Sequence, residues 1–271
     1  MEPQLILISA IAVITSTILS MVGIYQVRKR VDLSKLRSYH EVAGYLLSVI
    51  GTLYAVLLGF MVVDSMNKYD RARVIVEEEG NNIANIFFLA ENLPDMQKRN
   101  IRLHCLEYIN AVLDDEWQTM HHGEASEKAV TAIRDLWLEV IHIEPKTQNQ
   151  QTLFEMILND LQNVASNRRL RMITAGIGTS HPLVGVLILG AIIIVVFTYF
   201  FGLEDLRTQV IMTGLVTLTL ALNLCLVVLF GFPFRMGMPV KPSAFIYDKL
   251  IIEREAKRAG VPIQQLQQMQ P

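Results

Sequence analysis

The chain has 271 residues, of which 52% are hydrophobic and 18% are charged. The apolar residues are concentrated in four blocks and do not recur with the period of an amphipathic helix or strand, which excludes an ordinary soluble domain. Residues 64–175, between the second and third blocks, carry 18 acidic and 12 basic side chains within a chain of net charge −2. This acidic excess excludes nucleic-acid binding, because nucleic acids require a basic surface.

Each apolar block is near or above the ~20 residues that a helix needs to cross the hydrocarbon core. Glu204, Asp205 and Arg207 separate the last two blocks, which predicts a short hairpin. We therefore predict an all-helical membrane protein with spans at residues 4–27, 42–63, 183–203 and 208–234. The predicted domains are residues 1–63 with two spans, 64–175 as a soluble helical region, 176–234 with two further spans, and 235–271 as a tail.

Basic residues on the two sides of the membrane compete to set the orientation. The first loop carries Arg28, Lys29, Arg30, Lys35 and Arg37. More basic residues flank the soluble region or follow the last span, and all of these share the opposite side. Since positively charged segments stay in the cytoplasm, the larger set predicts a multi-pass inner-membrane protein whose termini and middle region are cytoplasmic.

The second span runs without proline into a charged segment that ends at Glu79. This pattern predicts one continuous helix that leaves the membrane and continues into water. A helix of this kind can line a pore.

One face of the second span carries only small residues, spaced by three or four positions, which are Gly44, Ser48, Gly51, Ala55 and Gly59. Small residues on one helix face allow close approach of helix backbones in lipid. The stripe predicts tight helix packing, either between subunits of an assembly or against the first or fourth span of the same subunit.

The face across from the small stripe is bulky and ends in a carboxylate. Asp64 is costly against lipid, which favours a symmetry axis for this face, although Asp64 also fits the headgroup level beside Lys68. The alternative is that the apolar residues are ordinary lipid-facing or buried side chains. The predicted pore-lining residues are Leu53, Val56, Leu57, Phe60, Asp64 and Asn67. The four apolar residues among them are predicted to form a constriction that controls conduction.

The soluble region reads as helices throughout. Together with the extension of the second span, the segments that follow Pro94, Ser126 and Pro145 predict a four-helix bundle with short turns. The first of these segments is predicted to end at Gly123, and its inward residues are predicted to be Ile101, Cys105, Tyr108 and Val112. The predicted inward face of the second segment consists of Val130, Ile133, Trp137 and Val140. Glu77, Glu78 and Glu79 form an acidic cluster on the extension. The cluster is predicted to line a vestibule and attract cations, and the alternative is an ordinary solvated helix face.

Two short motifs stand at the ends of spans. Leu57-Leu-Gly-Phe60 precedes Asn67-Lys-Tyr-Asp-Arg71 and an acidic helix, and Phe232-Pro-Phe-Arg-Met-Gly-Met-Pro-Val-Lys-Pro242 follows the last span. The first motif resembles the pore helix of bestrophins and of the bestrophin-like family of bacteria and plants, and the second is similar to the Pro-Phe, Gly and Pro pattern of the bestrophin-like family. The long helical insert between the second and third spans also matches, so the resemblance covers most of the chain.

The resemblance implies a homo-oligomeric ion channel, pentameric as in bestrophins, whose second helix lines the axis. In that alignment Phe60 is the last neck position and Val56 lies one turn earlier. Residues 235–241 contain no counterpart of the acidic run with which animal bestrophins hold calcium. The first carboxylate after this segment is Asp248. Met61 to Asp64 replace the arginine that often follows the bacterial neck, so anion selectivity is not implied.

No motif in the sequence indicates a catalytic or metal site. The histidines, cysteine and carboxylates between His104 and Glu124 lack the paired spacing of a zinc module, and no nucleophile elbow or phosphate loop is present. We predict no enzyme activity and no cofactor. In the tail, residues 245–259 predict one amphipathic helix that lies on the bundle.

The sequence thus predicts a passive, weakly cation-favouring channel whose partners are further copies of itself, the lipid bilayer and small inorganic ions. The alternative function is a non-conducting membrane scaffold or signalling module whose bundle recruits a cytoplasmic partner. A membrane-anchored enzyme is a third possibility, which would need clustered polar groups in a concave site.

Overall fold

The computed structural model describes residues 3–31, 40–176, 180–234 and 239–258. Within these ranges the chain is helical and has no strand. This confirms the predicted all-α class. The helices are α1 Pro3–Arg30, α2 His40–Leu89, α3 Asp95–Ala111, α4 Glu127–Ile141, α5 Gln148–Gly176, α6 His181–Tyr199, α7 Leu206–Gly231 and α8 Ser243–Arg258.

Among the described residues, four helices are long and apolar enough to cross a membrane, namely α1, α2, α6 and α7. The predicted hairpin between the last two spans is present, because α6 ends at Tyr199 and α7 begins at Leu206. The Asp205 carboxylate accepts hydrogen bonds from the backbone N–H groups of Arg207 (3.1 Å) and Thr208 (3.0 Å). This side chain therefore caps the first turn of α7, where backbone donors lack partners within the helix.

Helix α2 has 50 residues and runs from His40 to Leu89 without interruption. The prediction of a single helix through Phe60 and Glu79 is confirmed. No proline lies within it. Gly80 lies inside the helix at a close approach to α8, because a Cβ atom there would stand 2.8 Å from Asp248 Oδ2 and 2.9 Å from Ala244 Cβ. The helix ends in a 3₁₀ turn, Ala90–Asn92, before Pro94.

The residues divide into two compact units, the first of which contains Met1–Tyr69 and Ile177–Pro239. We call this the membrane unit. Helix α1 packs mainly on α7, and α6 also packs on α7. Close approach between α1 and α7 depends on Gly214, because a Cβ atom there would stand 3.2 Å from the Met21 sulfur.

The second unit contains Asp70–Gly176 and Val240–Pro271, and we call it the bundle unit. It holds the end of α2 together with α3, α4, α5 and α8. The predicted inward residues Ile101, Cys105 and Val112 are buried. The tail helix is confirmed, since α8 begins at Ser243 and buries Phe245 and Ile252.

The predicted inward face of α4 is partly wrong. Val130 is exposed, and the buried residues of this helix include Ala129, Ile133, Leu136 and Val140. The side-chain hydroxyl of Ser126 caps the helix by accepting the N–H of Ala129 at 3.2 Å. With this start, the buried stripe is centred close to Ala129 and Leu136, so Val130 falls outside it.

Helix α3 continues past Ala111 in three short steps. A π turn spans Val112–Glu116, an α-helical turn spans Trp117–Thr119, and a 3₁₀ turn spans Met120–His122. Gly123 then ends the segment with φ of 80°, a left-handed conformation that glycine adopts without strain. This confirms the predicted stop at Gly123 and places Glu116 and Trp117 on a locally widened helix.

Candidate pore helix and bundle ion cluster

Within the membrane unit, one face of α2 packs on the unit's other helices. Tyr54, Leu58 and Met61 are buried in a cluster with residues of α6 and α7. The partner residues are Leu187, Ala191, Ile194 and Val227, with Leu47, Ile50 and Val62 of α2 packed around them. We call this side of α2 the inner face. Sequence reasoning missed it, although Leu47, Ile50, Tyr54, Leu58 and Met61 follow a helical period.

Tyr54 makes the most specific contact of the inner face. Its hydroxyl donates a hydrogen bond to the Leu187 carbonyl of α6 at 2.9 Å. Its ring lies directly over Gly190, where an added Cβ would stand 2.6 Å from two ring carbons. No side chain fits at position 190 unless the ring moves, so α2 and α6 meet through a tyrosine seated on a glycine.

The predicted pore-lining residues of α2 are all exposed in the subunit. The exposed fraction of the residue is 72% for Phe60, 68% for Leu53 and 38% for Leu57. Val56, Asp64 and Asn67 are exposed too, and Asp64 pairs with Lys68 at 2.7 Å. The alternative that these apolar residues are buried within the subunit is therefore wrong, whereas their role in a pore stays a prediction.

The small stripe has no close partner among the described residues of the subunit either. Within that part of the chain, a Cβ atom added at Gly51 or Gly59 would meet no heavy atom within 4 Å, and one at Gly44 would meet Phe201 at 3.9 Å. Ser48 and Ala55 are exposed. Packing against α1 or α7 of the same subunit, which the sequence left open, is not what holds this stripe.

These observations divide the membrane segment of α2 into angular sectors. At ~100° per residue, the small stripe is centred about 90° to one side of the inner face. The sector about 100° to the other side holds Leu53, Leu57 and Asp64. The sector opposite the inner face lies between these two and contains Thr52, Val56 and Asn67, with Phe60 at its border.

The three residues of the acidic cluster on the extension of α2 lie in different environments. Glu77 and Glu78 are exposed, and Glu77 lies 3.5 Å from Arg73. Glu79 is fully buried in the bundle unit. The prediction that Glu79 lines an aqueous vestibule is therefore wrong, because its carboxylate is enclosed by protein and bound by other side chains.

Glu79 belongs to a buried ion cluster with Arg171 of α5. Arg171 donates from Nε to Glu79 Oε2 at 2.7 Å and from Nη2 to Oε1 at 2.9 Å, which is a two-point contact. The Tyr108 hydroxyl donates to the same Oε1 at 2.6 Å. Burial is the main cause that raises the pKa of Tyr108 well above its usual value, so the phenol stays a donor.

A second carboxylate completes this cluster. Arg171 Nη2 also donates to Glu116 Oε1 at 2.7 Å, and Arg168 binds both oxygens of Glu116. Burial raises the pKa of Glu116, but the hydrogen bond from Arg168 and the charge of Arg171 outweigh burial and leave this pKa below its ordinary value. The Arg171 guanidinium also lies 5.5 Å from the Trp117 ring centre. Glu116 is therefore held as a carboxylate between two guanidinium groups.

The sequence contained one signal for this cluster. Glu79 falls in helical register with the buried residues Ala72, Val76, Ile83 and Ile86. A carboxylate in an apolar stripe requires a cation, which the sequence offers in the basic residues before the third span. In the sequence those basic residues indicated only the orientation in the membrane, so the cation partner of Glu79 was missed.

Comparison with known proteins identifies the family. A family model described as the bestrophin-like domain matches residues 14–245. The chain belongs to the bestrophin-like family. The resemblance predicted from the motifs after the second and fourth spans is thus confirmed.

Solved structures of bestrophin homologues share the fold. A variant of a bacterial bestrophin homologue from Klebsiella pneumoniae superposes with a TM-score of 0.66 at 14% identity, over 89% of this chain and 98% of that one. A second variant gives 0.64 at 15% identity, over 89% and 96%. The same organism's homologue in another crystal structure gives 0.61 at 15% identity, over 92% and 96%. No curated protein matched the chain.

These matches confirm the bestrophin-like fold, with four membrane-spanning helices and a helical bundle inserted between the second and third. At such low identity the likeness concerns the fold. It carries no residue role from those proteins to this chain.

Proposed function

We propose that this bestrophin-like chain forms a homo-oligomeric ion channel, a pentamer, in which α2 lines the axis. The observation that carries the proposal is the uncovered apolar surface of α2, which none of the described helices of the subunit packs against. This surface ends at Asp64 and Asn67 on a helix that continues beyond the membrane segment. In lipid, an exposed carboxylate at that position favours a water-filled axis.

The sectors of α2 support an arrangement of neighbouring subunits. In a ring of α2 helices, the inner face points away from the axis and the opposite sector points toward it. Val56, Phe60 and Asn67 then narrow or line the pore, and Thr52 joins them one turn before Val56. The small stripe and the sector of Leu53 and Leu57 flank the axis, where bulky side chains of one subunit fit the small residues of the next, so this arrangement moves Leu53 and Leu57 from the predicted pore lining to the subunit interface. Asp64 lies beyond the last small residue, Gly59, and faces the water at the end of the pore.

The proposed neck controls conduction through its apolar side chains. A ring of Val56 and Phe60 side chains excludes ions unless the constriction is wetted or widened. Asp64 and Asn67 follow it, and Glu77 and Glu78 remain exposed on the extension. These groups give a weak preference for cations, since Lys68 already offsets part of the Asp64 charge.

We place the channel in the inner membrane as a multi-pass protein, with the bundle and termini in the cytoplasm. The basic residues that flank the bundle support this orientation. The proposed activity is passive ion flux, so no catalytic residue is assigned.

Ion flux from liposomes tests the function. We expect purified protein to carry a salt current and Phe60→Ala to raise it, because truncation widens and wets the neck. Phe88→Ala is the matched control, since Phe88 is also exposed on α2 but lies in the bundle unit. Absence of current in every form, with a folded oligomer in the bilayer, would contradict the proposal and favour a scaffold.

A further inference from the structure

We propose that Tyr54 is a positioning residue for the neck, which fixes the rotation and height of α2 against α6. The inference rests on the proposed function, since the neck residues Val56 and Phe60 follow Tyr54 on the same helix. Tyr54 itself faces the opposite direction and lies in the inner cluster. It therefore acts on the pore only through the placement of α2.

Two contacts give Tyr54 this control. The ring fills the notch at Gly190, which opposes rotation of α2 about its own axis, and the 2.9 Å hydrogen bond to the Leu187 carbonyl opposes sliding along α6. By comparison, the Ser48 and Thr52 hydroxyls donate to carbonyls of α2 itself, at 2.9 and 2.7 Å. Those bonds hold the helix together but do not hold it against a neighbour.

The membrane unit contains a second contact of the same design. The Tyr199 hydroxyl donates to the Ser20 carbonyl at 2.9 Å, and an added Cβ at Gly23 would stand 2.5 Å from the Tyr199 oxygen. In both cases the acceptor carbonyl lies three residues before the glycine. Tyr199 joins α6 to α1 and does not touch α2 through this bond, so it provides a matched control.

The difference between the two tyrosines follows from the helices they join. Loss of either hydroxyl removes one neutral hydrogen bond inside the membrane unit, with a similar effect on stability. Only loss of the Tyr54 hydroxyl frees the neck helix to shift. A change in conduction that is specific to Tyr54 therefore separates positioning from general packing.

The first experiment compares Tyr54→Phe and Tyr199→Phe with wild type in liposomes. Loss of one interhelical hydrogen bond in a membrane corresponds to about a threefold to twentyfold change in an equilibrium. We expect Tyr54→Phe to change ion flux by such a factor and Tyr199→Phe to stay within twofold. Equal flux in the two variants, changed or unchanged, would overturn the inference and leave the channel proposal intact.

A second readout does not depend on current. In a background with Cys105→Ala and Cys225→Ala, the variant Val56→Cys is labelled with a water-soluble thiol reagent. We expect the labelling rate to change with Tyr54→Phe but not with Tyr199→Phe, because only the loss of the Tyr54 hydroxyl allows α2 to shift and residue 56 to move with it. If wild type carries no current, the channel proposal fails, and this rate still decides whether Tyr54 positions α2.

A size exchange at the notch completes the test. Gly190→Ala places a methyl group against the Tyr54 ring and should change the labelling rate in the same way. Combining Gly190→Ala with Tyr54→Leu removes the clash, so the double variant should change the rate by less than the sum of the two single effects. Independent, additive effects of the two substitutions would contradict direct seating of the ring on Gly190.

Discussion

The membrane unit and the bundle unit hold their helices together by different chemistry. In the bundle unit, Arg171 binds both Glu79 and Glu116, and all three residues are fully buried. Arg168 also binds Glu116, and Tyr108 also donates to Glu79. In the membrane unit, the described interhelical contacts include two neutral tyrosine hydroxyls that donate to backbone carbonyls beside glycines. Neutral donors have a lower desolvation cost in lipid, whereas multiply bonded ions define a single arrangement of bundle helices.

The comparison predicts its largest effect at the centre of the ion cluster. Arg171→Met leaves two buried carboxylates without their shared cation, which should cost about 3–5 kcal/mol of bundle stability. A large fall in the thermal unfolding midpoint of the detergent-solubilised protein would show this. The neighbouring exposed pair provides the control, because Glu77→Gln removes only the 3.5 Å contact with Arg73 and should cost less than about 1 kcal/mol. Similar losses in both variants would show that burial of the cluster is unimportant.

An intermediate effect is expected from the glycine seats of the membrane unit. Gly23→Ala pushes a methyl group against the Tyr199 hydroxyl and should cost about 1–3 kcal/mol through displacement of that side chain. Gly185→Ala on α6 is the matched control, since a Cβ there meets no heavy atom of the described residues within 4 Å. Thermal unfolding should separate the two, and a destabilised Gly185→Ala would instead indicate contact with another subunit.

The smallest effect is expected from α8 and depends on pH. Asp248 is buried, its Oδ2 has no hydrogen-bond partner among the described residues, and burial raises its pKa to about 6. Because this pKa is above the ordinary value of 3.8, the stability that protonated Asp248 gives to α8 is fully present below pH ~4 and is lost as pH rises through about 6. Asp248→Asn should remove the dependence.

Fluorescence of Trp117 can follow this change, because its ring lies 6.4 Å from that of Phe245 on α8. Trp137→Phe leaves Trp117 as the single tryptophan of the chain. His121 and His122 follow Trp117 closely in the chain, so a variant with both changed to Gln is the control. A transition that persists in Asp248→Asn but disappears in the histidine variant would refute the assignment to Asp248.

Much of the fold could be predicted because its signals are local. The four apolar blocks, the absence of proline from α2, Ser126 as a cap and Gly123 as a stop each act within a few residues. The buried stripe of α4 was harder, since Val130 and Ala129 are neighbours and tertiary packing selects between adjacent faces. The division of the acidic cluster was not local either, because the partner of Glu79 lies 92 residues further along the chain.

The sequence by itself determined that this protein is an all-helical membrane protein with a continuous second helix, and its motifs indicated the bestrophin-like family. Length, hydropathy and helix-ending residues are sufficient for this, since a span must satisfy its own backbone hydrogen bonds. Only the tertiary structure decided which face of α2 packs within the subunit and which faces stay uncovered. The faces are selected by contacts between residues that are distant in sequence. Tyr54 packs on Gly190 because their shapes fit, and Glu79 turns inward because it binds Arg171.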